Sequence, residues 1–260
     1  MKIYINADPH KEIAQETAKK LIGISKELDI EITTKIGNAD LIISIGGDGT
    51  FLESSRLSQG KPILGINCGT LGYLTDINPD EMKKAIEDIL KENYYIEERM
   101  MLEGEIEKKN GDIIKIPQAL NEISISKNIF RVVRFDVLVD EKLINSYTAD
   151  GMLVCTPTGS TAYNLSCGGP IVDPTAKIIT LTPIAPHTII NRSIILSEDA
   201  IVSIKITELR ENTNPYALYD GKPIEIETGD IVRVKKSEKN TKIIKLSWQS
   251  FIDNIRENIN

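Results

Sequence analysis

Residues 42–52 limit the fold of this chain more than any other stretch. An apolar run over residues 42–45 leads directly into a glycine-rich turn, and a helix-like segment follows it. The residues of the turn are Gly46, Gly47, Asp48, Gly49 and Thr50. A buried strand that passes through a tight turn into a helix predicts one unit of an α/β sheet.

The same turn also predicts chemistry. Glycines let the backbone approach a ligand closely and turn its N–H groups towards an anion, and the N-terminus of the next helix adds partial positive charge. A carboxylate at Asp48 repels phosphate unless it orients a metal ion or takes a proton from an attacking hydroxyl. The alternative is a plain strand-to-helix turn that Asp48 caps.

The order of the predicted elements divides the chain in two. Over residues 1–95 strands alternate with helices, the first of which we expect to begin at Asp8-Pro9, and this predicts a Rossmann-like α/β domain. Residues 96–240 contain short strand patterns, such as the alternation from Val133 to Val139, and predict a mostly β, sandwich-like domain. Apolar spacing over Trp248–Ile259 predicts a terminal helix, within residues 241–260, that returns to the first domain.

Composition excludes several classes of function. The chain has 31 Lys and Arg against 38 Asp and Glu, a net charge of −7, which argues against a broad grip on nucleic acid or an anionic membrane. No apolar run approaches the roughly 18 residues of a spanning helix, and the N-terminus lacks signal-peptide order. Three cysteines and two histidines are too few and too scattered for a disulfide framework or metal cluster. We therefore expect a cytoplasmic protein.

Three further stretches could carry chemistry. Residues 150–170 form a stretch rich in hydroxyl side chains and glycine, which suits a nucleoside, although such loops also connect strands in many sandwiches. Residues 65–74 form a second strand that opens into glycines, at the sheet edge where ligands of parallel α/β folds gather. Asn121-Glu122 lies between apolar runs, and by itself this pair is most often a solvated turn.

In order along the chain, these stretches resemble the NAD kinases, enzymes that phosphorylate NAD to NADP. The matching segments are Gly46–Thr50, Gly69–Leu74, Asn121-Glu122, Asp150-Gly151 and Thr156–Asn164. Similar glycine turns occur in 6-phosphofructokinases and in diacylglycerol and sphingosine kinases, whereas the Thr156–Asn164 segment is highly specific. The resemblance implies two domains with the dinucleotide between them, in a homodimer or homotetramer.

The resemblance also implies roles for individual residues. Asp48 is expected to be the general base that takes the proton of the 2′-hydroxyl of the adenosine ribose. The substrates are expected to be NAD and either ATP or polyphosphate, with a divalent cation, Mg²⁺, on the phosphates. The residues expected to bind them are Gly46, Gly47, Gly49, Thr50, Tyr73, Asn121, Glu122, Arg131, Asp150, Ser160, Thr161, Ala162, Tyr163, Asn164, Ser166 and Lys222.

Departures from the family pattern include two charged positions and Ser193, which stands where proline is frequent. Two other functions remain open. Glu53 stands where a basic residue is frequent, and Lys222 stands where an amide is common. A lipid kinase of the diacylglycerol kinase type would share the glycine turn, but the Thr156–Asn164 segment argues against it. A non-catalytic NAD-binding sensor would lack the carboxylate of Asp48, which is present here.

Overall fold

The computed structural model of the 260-residue chain describes residues 1–69, 72–75, 77–127, 132–187, 191–208 and 215–246. Contacts divide the chain into one unit made of Met1–Arg99 with the described residues from Asn240 onward, and a second unit made of Met100–Lys239. The helices are α1 (Glu12–Glu27), α2 (Asp48–Leu57), α3 (Met82–Leu90) and α4 (Tyr163–Ser166). The strands are β1 (Lys2–Ala7), β2 (Glu31–Ile32), β3 (Leu41–Gly46), β4 (Ile63–Asn67), β5 (Tyr95–Glu107), β6 (Ile113–Ala119), β7 (Glu122–Ser126), β8 (Val133–Val139), β9 (Lys142–Ala149), β10 (Gly151–Cys155), β11 (Ile178–Ile184), β12 (Ile194–Ser197), β13 (Val202–Glu208), β14 (Tyr216–Tyr219), β15 (Lys222–Glu225) and β16 (Ile231–Lys245).

The first unit is built on a parallel sheet in the order β2-β1-β3-β4, and the C-terminal part of β16 pairs beside β4 through Ile243 and Ile63. All six residues of β3 are buried, because helices cover both faces of the sheet. The alternation of side chains along a strand puts Ile43 and Ile45 on the face that packs against α1 and α3. On the opposite face, the ring of Phe51 from α2 lies against Gly65 of β4.

The helix α1 begins three residues later than the sequence predicts, with Lys11 rather than Asp8 at the N-cap position. Asp8 is not its N-cap: the Asp8 N–H donates to the carbonyl of Ile45 (2.9 Å), and the Asp8 side chain accepts the N–H of His10 (2.9 Å). The backbone after β1 is thus tied to β3, and the first helical residue is Glu12, with Lys11 at the N-cap position.

The second unit consists mainly of antiparallel strands. One sheet has six strands in the order β12-β11-β10-β7-β14-β15. In the other, β13 lies between β8 and β16, and β8 forms a hairpin with β9 through Asp140 and Glu141, which both have positive φ (48° and 64°). Buried residues of both sheets, among them Phe135 and Val154, form one apolar core. This is the sandwich-like arrangement that the sequence predicts.

The fold class is therefore as predicted, an α/β unit and a β-sandwich-like unit. The predicted C-terminal helix over Trp248–Ile259 lies outside the described residues.

Candidate active site

The glycine turn connects β3 to α2 and presents Asp48 as the first residue of the helix. Gly47 is the N-cap residue, and its carbonyl accepts the N–H groups of Thr50 (3.0 Å) and Phe51 (3.1 Å). A Cβ atom on Gly46 would overlap the side chain of Thr50, so only glycine fits there. The turn thus places Asp48, Gly49 and Thr50 in the first turn of a helix at the carboxyl end of a buried strand.

Backbone amides hold the carboxylate of Asp48. Its Oδ2 accepts the N–H of Tyr73 (3.1 Å), and its Oδ1 accepts the N–H of Leu74 (3.2 Å). These amides belong to the segment that follows β4, and a Cβ atom on Gly72 would overlap the Asp48 carboxylate. The second glycine segment is therefore a support for Asp48 as well as a candidate binding loop.

The strand order places this carboxylate at a topological switch point. In the order β2-β1-β3-β4, the chain leaves β1 towards one edge of the sheet and β3 towards the other. In doubly wound folds of this order, ligands bind outside the carboxyl ends of the strands, between the first and third strands. The segment after β1 and the turn at Gly47-Asp48 flank that crevice.

In the second unit, Asp220 and Thr156 hold the turn that contains Asn121 and Glu122. The Asp220 carboxylate accepts the N–H groups of Leu120 (3.0 Å), Asn121 (2.9 Å) and Glu122 (3.3 Å). Thr156 donates its N–H to the carbonyl of Asn121 (2.9 Å) and its hydroxyl to the carbonyl of Leu120 (2.6 Å). A pair that the sequence alone reads as a solvated turn is thus a fixed structural element.

Glu122 is a buried carboxyl group with unused acceptor capacity. Its side chain belongs to a residue that is 8% exposed, and its Oε2 has no hydrogen-bond partner among the described residues. Burial, with a smaller contribution from the charge of Asp220, raises its pKa to about 7. Burial also raises the pKa of the neighbouring Cys155 thiol, so Cys155 lacks the thiolate character of a nucleophile.

The loop that follows β10 is held by a buried amide. Asn164 is fully buried, and its Nδ2 donates to the carbonyls of Ser160 and Pro170, both at 3.1 Å, while its Oδ1 accepts the hydroxyl of Thr182 (2.7 Å). The hydroxyl of Ser160, also fully buried, donates to the carbonyl and accepts the N–H of Val172 (3.2 and 3.1 Å). Both side chains are engaged inside the protein and fix the shape of the loop.

Comparison with known proteins identifies the family to which a chain with these two sites belongs. The family models described as ATP-NAD kinase N-terminal domain and ATP-NAD kinase C-terminal domain match residues 6–94 and 120–246. The chain is also 38% identical over 274 aligned residues to the NAD kinase of Caldanaerobacter subterraneus subsp. tengcongensis, with 98% of this chain and 96% of the relative covered. The chain belongs to the NAD kinase family.

A further relative and two solved structures are similar to this chain over most of their length. The NAD kinase of Caldicellulosiruptor bescii is 35% identical, with 100% of this chain and 99% of the relative covered. The structure of yeast NADH kinase complexed with NADH has a TM-score of 0.89 at 25% identity, over 100% of this chain and 87% of that one. An NAD kinase from Archaeoglobus fulgidus in complex with ATP has a TM-score of 0.77 at 24% identity, over 95% and 93%, and shares the fold.

Four predicted residues on the loop after β10 differ in how far they are exposed. Tyr163 is 45% exposed and Ser166 is exposed, whereas Thr161 and Ala162 are half-buried. Half-exposed aromatic and hydroxyl groups of this kind suit contact with a nucleoside. These four residues form the outer side of the loop that Asn164 supports.

Three predicted residues remain, of which the structure describes Asp150 and Lys222. Asp150 forms an ion pair with Lys127 (2.5 Å), so its carboxylate is already partnered. Lys222 is exposed at the start of β15, after a hairpin turn in which Asp220 and Gly221 have positive φ. Arg131 lies outside the described residues.

The structure adds two residues that sequence reasoning missed in this family member. Asp220 binds the Asn121–Glu122 turn from 98 to 100 residues away, and only its place in an Asp-Gly hairpin marked it. Lys11 approaches Gly47 and Gly69, and the signal for it was its place directly after β1. Neither contact follows from local sequence patterns.

The described residues contain no resident metal site and no membrane span. No group of three or more His, Cys, Asp or Glu residues in that part of the chain is arranged to hold a metal ion. No helix there is long and apolar enough to cross a membrane. In that part of the chain a divalent cation therefore has no protein-made cage.

Proposed function

We propose that this chain transfers the terminal phosphoryl group of ATP to the 2′-hydroxyl of the adenosine ribose of NAD, with Asp48 as the general base. Family membership makes the chain an NAD kinase, a phosphotransferase that acts on an alcohol group. The observation that carries the assignment of the base is the carboxylate of Asp48, which two amides fix at the mouth of a glycine turn.

In the proposed reaction, the ribose O2′ attacks the γ-phosphorus of the donor. The new bond is O2′–P, the bond that breaks joins the γ-phosphorus to the bridging oxygen, and ADP leaves. The hydroxyl proton passes to the Asp48 carboxylate. A base in this position contributes typically about 10²- to 10⁴-fold in rate, and alignment of the reactants supplies much of the rest.

The glycine turn is proposed to hold the donor phosphates. Gly47 and Gly49 leave the backbone accessible, and Gly46 makes room for the Thr50 side chain. The N-terminus of α2 favours negative charge. We propose that Mg²⁺ arrives on the donor phosphates and, when bound, neutralises charge that develops on them. Polyphosphate offers the same phosphate chain and is an alternative donor.

The second unit is proposed to bind NAD. The carboxyl group of Glu122 and the amide of Asn121 are suited to ribose hydroxyls, and Tyr163 is suited to stack on a base. Tyr73, a residue of the first unit, is likewise a predicted stacking residue. Thr161, Ala162 and Ser166 provide further contacts on the outer side of the loop. Ser160 and Asn164 would act through the shape of the loop, while Asp150, Arg131 and Lys222 remain predicted contacts.

We also propose a role for each domain, an oligomeric state and a location in the cell. Residues 1–95 with 241–260 carry the phosphate loop, residues 96–240 bind NAD, and the enzyme works as a homodimer or homotetramer in the cytoplasm.

The test is a coupled assay with NAD, ATP and Mg²⁺, in which an NADP-specific dehydrogenase reports the product. We expect the wild type to form NADP, and we expect turnover by Asp48→Asn to fall by about two orders of magnitude or more while NAD binding is retained. Asp80→Asn is the matched control, because Asp80 also lies at the start of a helical turn and is exposed. Normal turnover by Asp48→Asn would refute the general-base assignment.

A further inference from the structure

Lys11 is fixed in place at the start of α1. Its carbonyl accepts the N–H groups of Ala14 (3.1 Å) and Gln15 (3.2 Å), which close the first turn of the helix. The residues before it are tied down as well, since the Asp8 N–H donates to the carbonyl of Ile45 and the Gln15 side chain donates to the carbonyl of Asp8 (2.9 Å). The backbone from which the lysine side chain extends is therefore rigid.

The ammonium group of Lys11 lies between the two glycine turns of the sheet edge. A Cβ atom on Gly47 would be 3.4 Å from Lys11 Nζ, and a Cβ atom on Gly69 would be 3.1 Å from it. Gly47 follows β3 and Gly69 follows β4. Glycine at both positions leaves space for this cation at the carboxyl ends of the strands.

This cation has no protein counter-ion in the described part of the chain. Lys11 is half-buried, and none of the ion pairs formed by the described residues includes it. The Asp48 carboxylate of the same edge is instead bonded to the amides of Tyr73 and Leu74. A half-buried ammonium without a carboxylate, beside the N-terminus of α2, favours an anionic ligand.

We propose that Lys11 binds the phosphates of the donor at the β1/β3 switch point, an inference that rests on the proposed function. The lysine comes from the segment after β1 and the amides come from the turn after β3, so the donor would be held from both sides of the crevice. A lysine is a flexible point charge and sets few geometric demands. It therefore serves any oligophosphate chain, ATP and polyphosphate alike.

The test is calorimetric binding of inorganic triphosphate and of ATP, each with Mg²⁺, together with the coupled assay. In Lys11→Gln we expect both affinities to fall about tenfold and the KM for ATP and for polyphosphate to rise about tenfold. The KM for NAD and the thermal midpoint should not change. Lys11→Arg should restore most of the affinity, and Lys19→Gln, an exposed lysine of the same helix, should behave as the wild type.

A second variant leaves the charge in place. Gly69→Ala would push the Lys11 ammonium aside, since its Cβ would lie 3.1 Å from Nζ, and should also weaken triphosphate binding. It tests the proposal even if Lys11→Gln does not fold.

The outcomes separate this inference from the proposed function. Unchanged triphosphate binding in Lys11→Gln, or a rise in the KM for NAD instead of ATP, would overturn the inference while NADP formation still supported the function. A wild type that binds triphosphate through Lys11 but forms no NADP would overturn the function and keep the inference.

Discussion

The glycine turn at Gly46–Thr50 and the loop after β10 are held in place by different groups. In the first unit, backbone amides of Tyr73 and Leu74 hold the one carboxylate, that of Asp48, and glycines provide the space. In the second unit, buried side chains such as Asn164 hold the loop, and the candidate ligand contacts lie on its outer side. Replacing Asp48 in the glycine turn should therefore change activity and leave the fold intact. Replacing Asn164 in the second loop should instead destabilise the fold.

The largest effect that this difference predicts is on stability, from Asn164→Ala. The substitution leaves the carbonyls of Ser160 and Pro170 and the hydroxyl of Thr182 without their amide partner in a buried site. We expect the free energy of unfolding in urea to fall by about 3–4 kcal/mol.

Ser166→Ala is the control for this effect, because Ser166 is exposed on the same loop, and it should cost no more than about 0.5 kcal/mol. Equal stability of Asn164→Ala and the wild type would show that the loop does not depend on this amide.

The second prediction concerns activity, from Gly72→Ala. The new Cβ atom would occupy the position of the Asp48 carboxylate, so the side chain must move away from the amides of Tyr73 and Leu74. Because a displacement of about 1 Å can reduce a rate about 10²-fold, we expect turnover in the coupled assay to fall by a similar factor. The loss of stability should be smaller than in Asn164→Ala.

Gly23→Ala is the matched control for Gly72→Ala. Gly23 lies inside α1 with nothing within 4 Å of a new Cβ atom, so alanine should raise stability by about 0.5–1 kcal/mol and leave turnover unchanged. If Gly72→Ala kept the wild-type turnover, the amide-held position of Asp48 would not matter for catalysis.

The sequence predicted the fold class and the position of the glycine turn because both depend on local patterns. Alternating strands and helices predict a covered parallel sheet, and the apolar alternation from Val133 to Val139 predicts the strand that is observed. The start of α1 was predicted wrongly at Asp8, since a tertiary hydrogen bond to Ile45 competes there with helix capping.

The supports of the site could not be predicted in the same way. The pairing of Asp220 with the Asn121–Glu122 turn joins residues 98 to 100 positions apart, and the contact between Asn164 and Thr182 joins a loop to a strand that follows it. Neither leaves a periodic signal, because hydrogen bonds between distant segments depend on how the sheet is assembled. The same reason explains why Lys11, although it follows a strand, was not recognised.

The smallest expected effect concerns the second unit, where Glu122 is buried in the fold and is also proposed to bind NAD. Its pKa rises from an ordinary 4.5 to about 7 in the folded protein, so the folded state binds more protons than the unfolded chain between these values. This contribution to stability is complete below pH 4.5 and is lost as pH rises through about 7. From pH 6 to pH 8 the free energy of unfolding should fall by about 1 kcal/mol, and Glu122→Gln should remove that dependence.

NAD affinity should change in the opposite direction over the same range. The ionised carboxylate is the better acceptor for ribose hydroxyls, so binding measured by calorimetry should strengthen as pH rises through about 7 and should lose this dependence in Glu122→Gln. For a buried carboxyl group that binds a ligand, we expect stability to fall and affinity to rise with pH. Burial disfavours the charged form, whereas the ligand binds that form more strongly. Affinity and stability that rise together with pH would instead mean that Glu122 serves the fold alone.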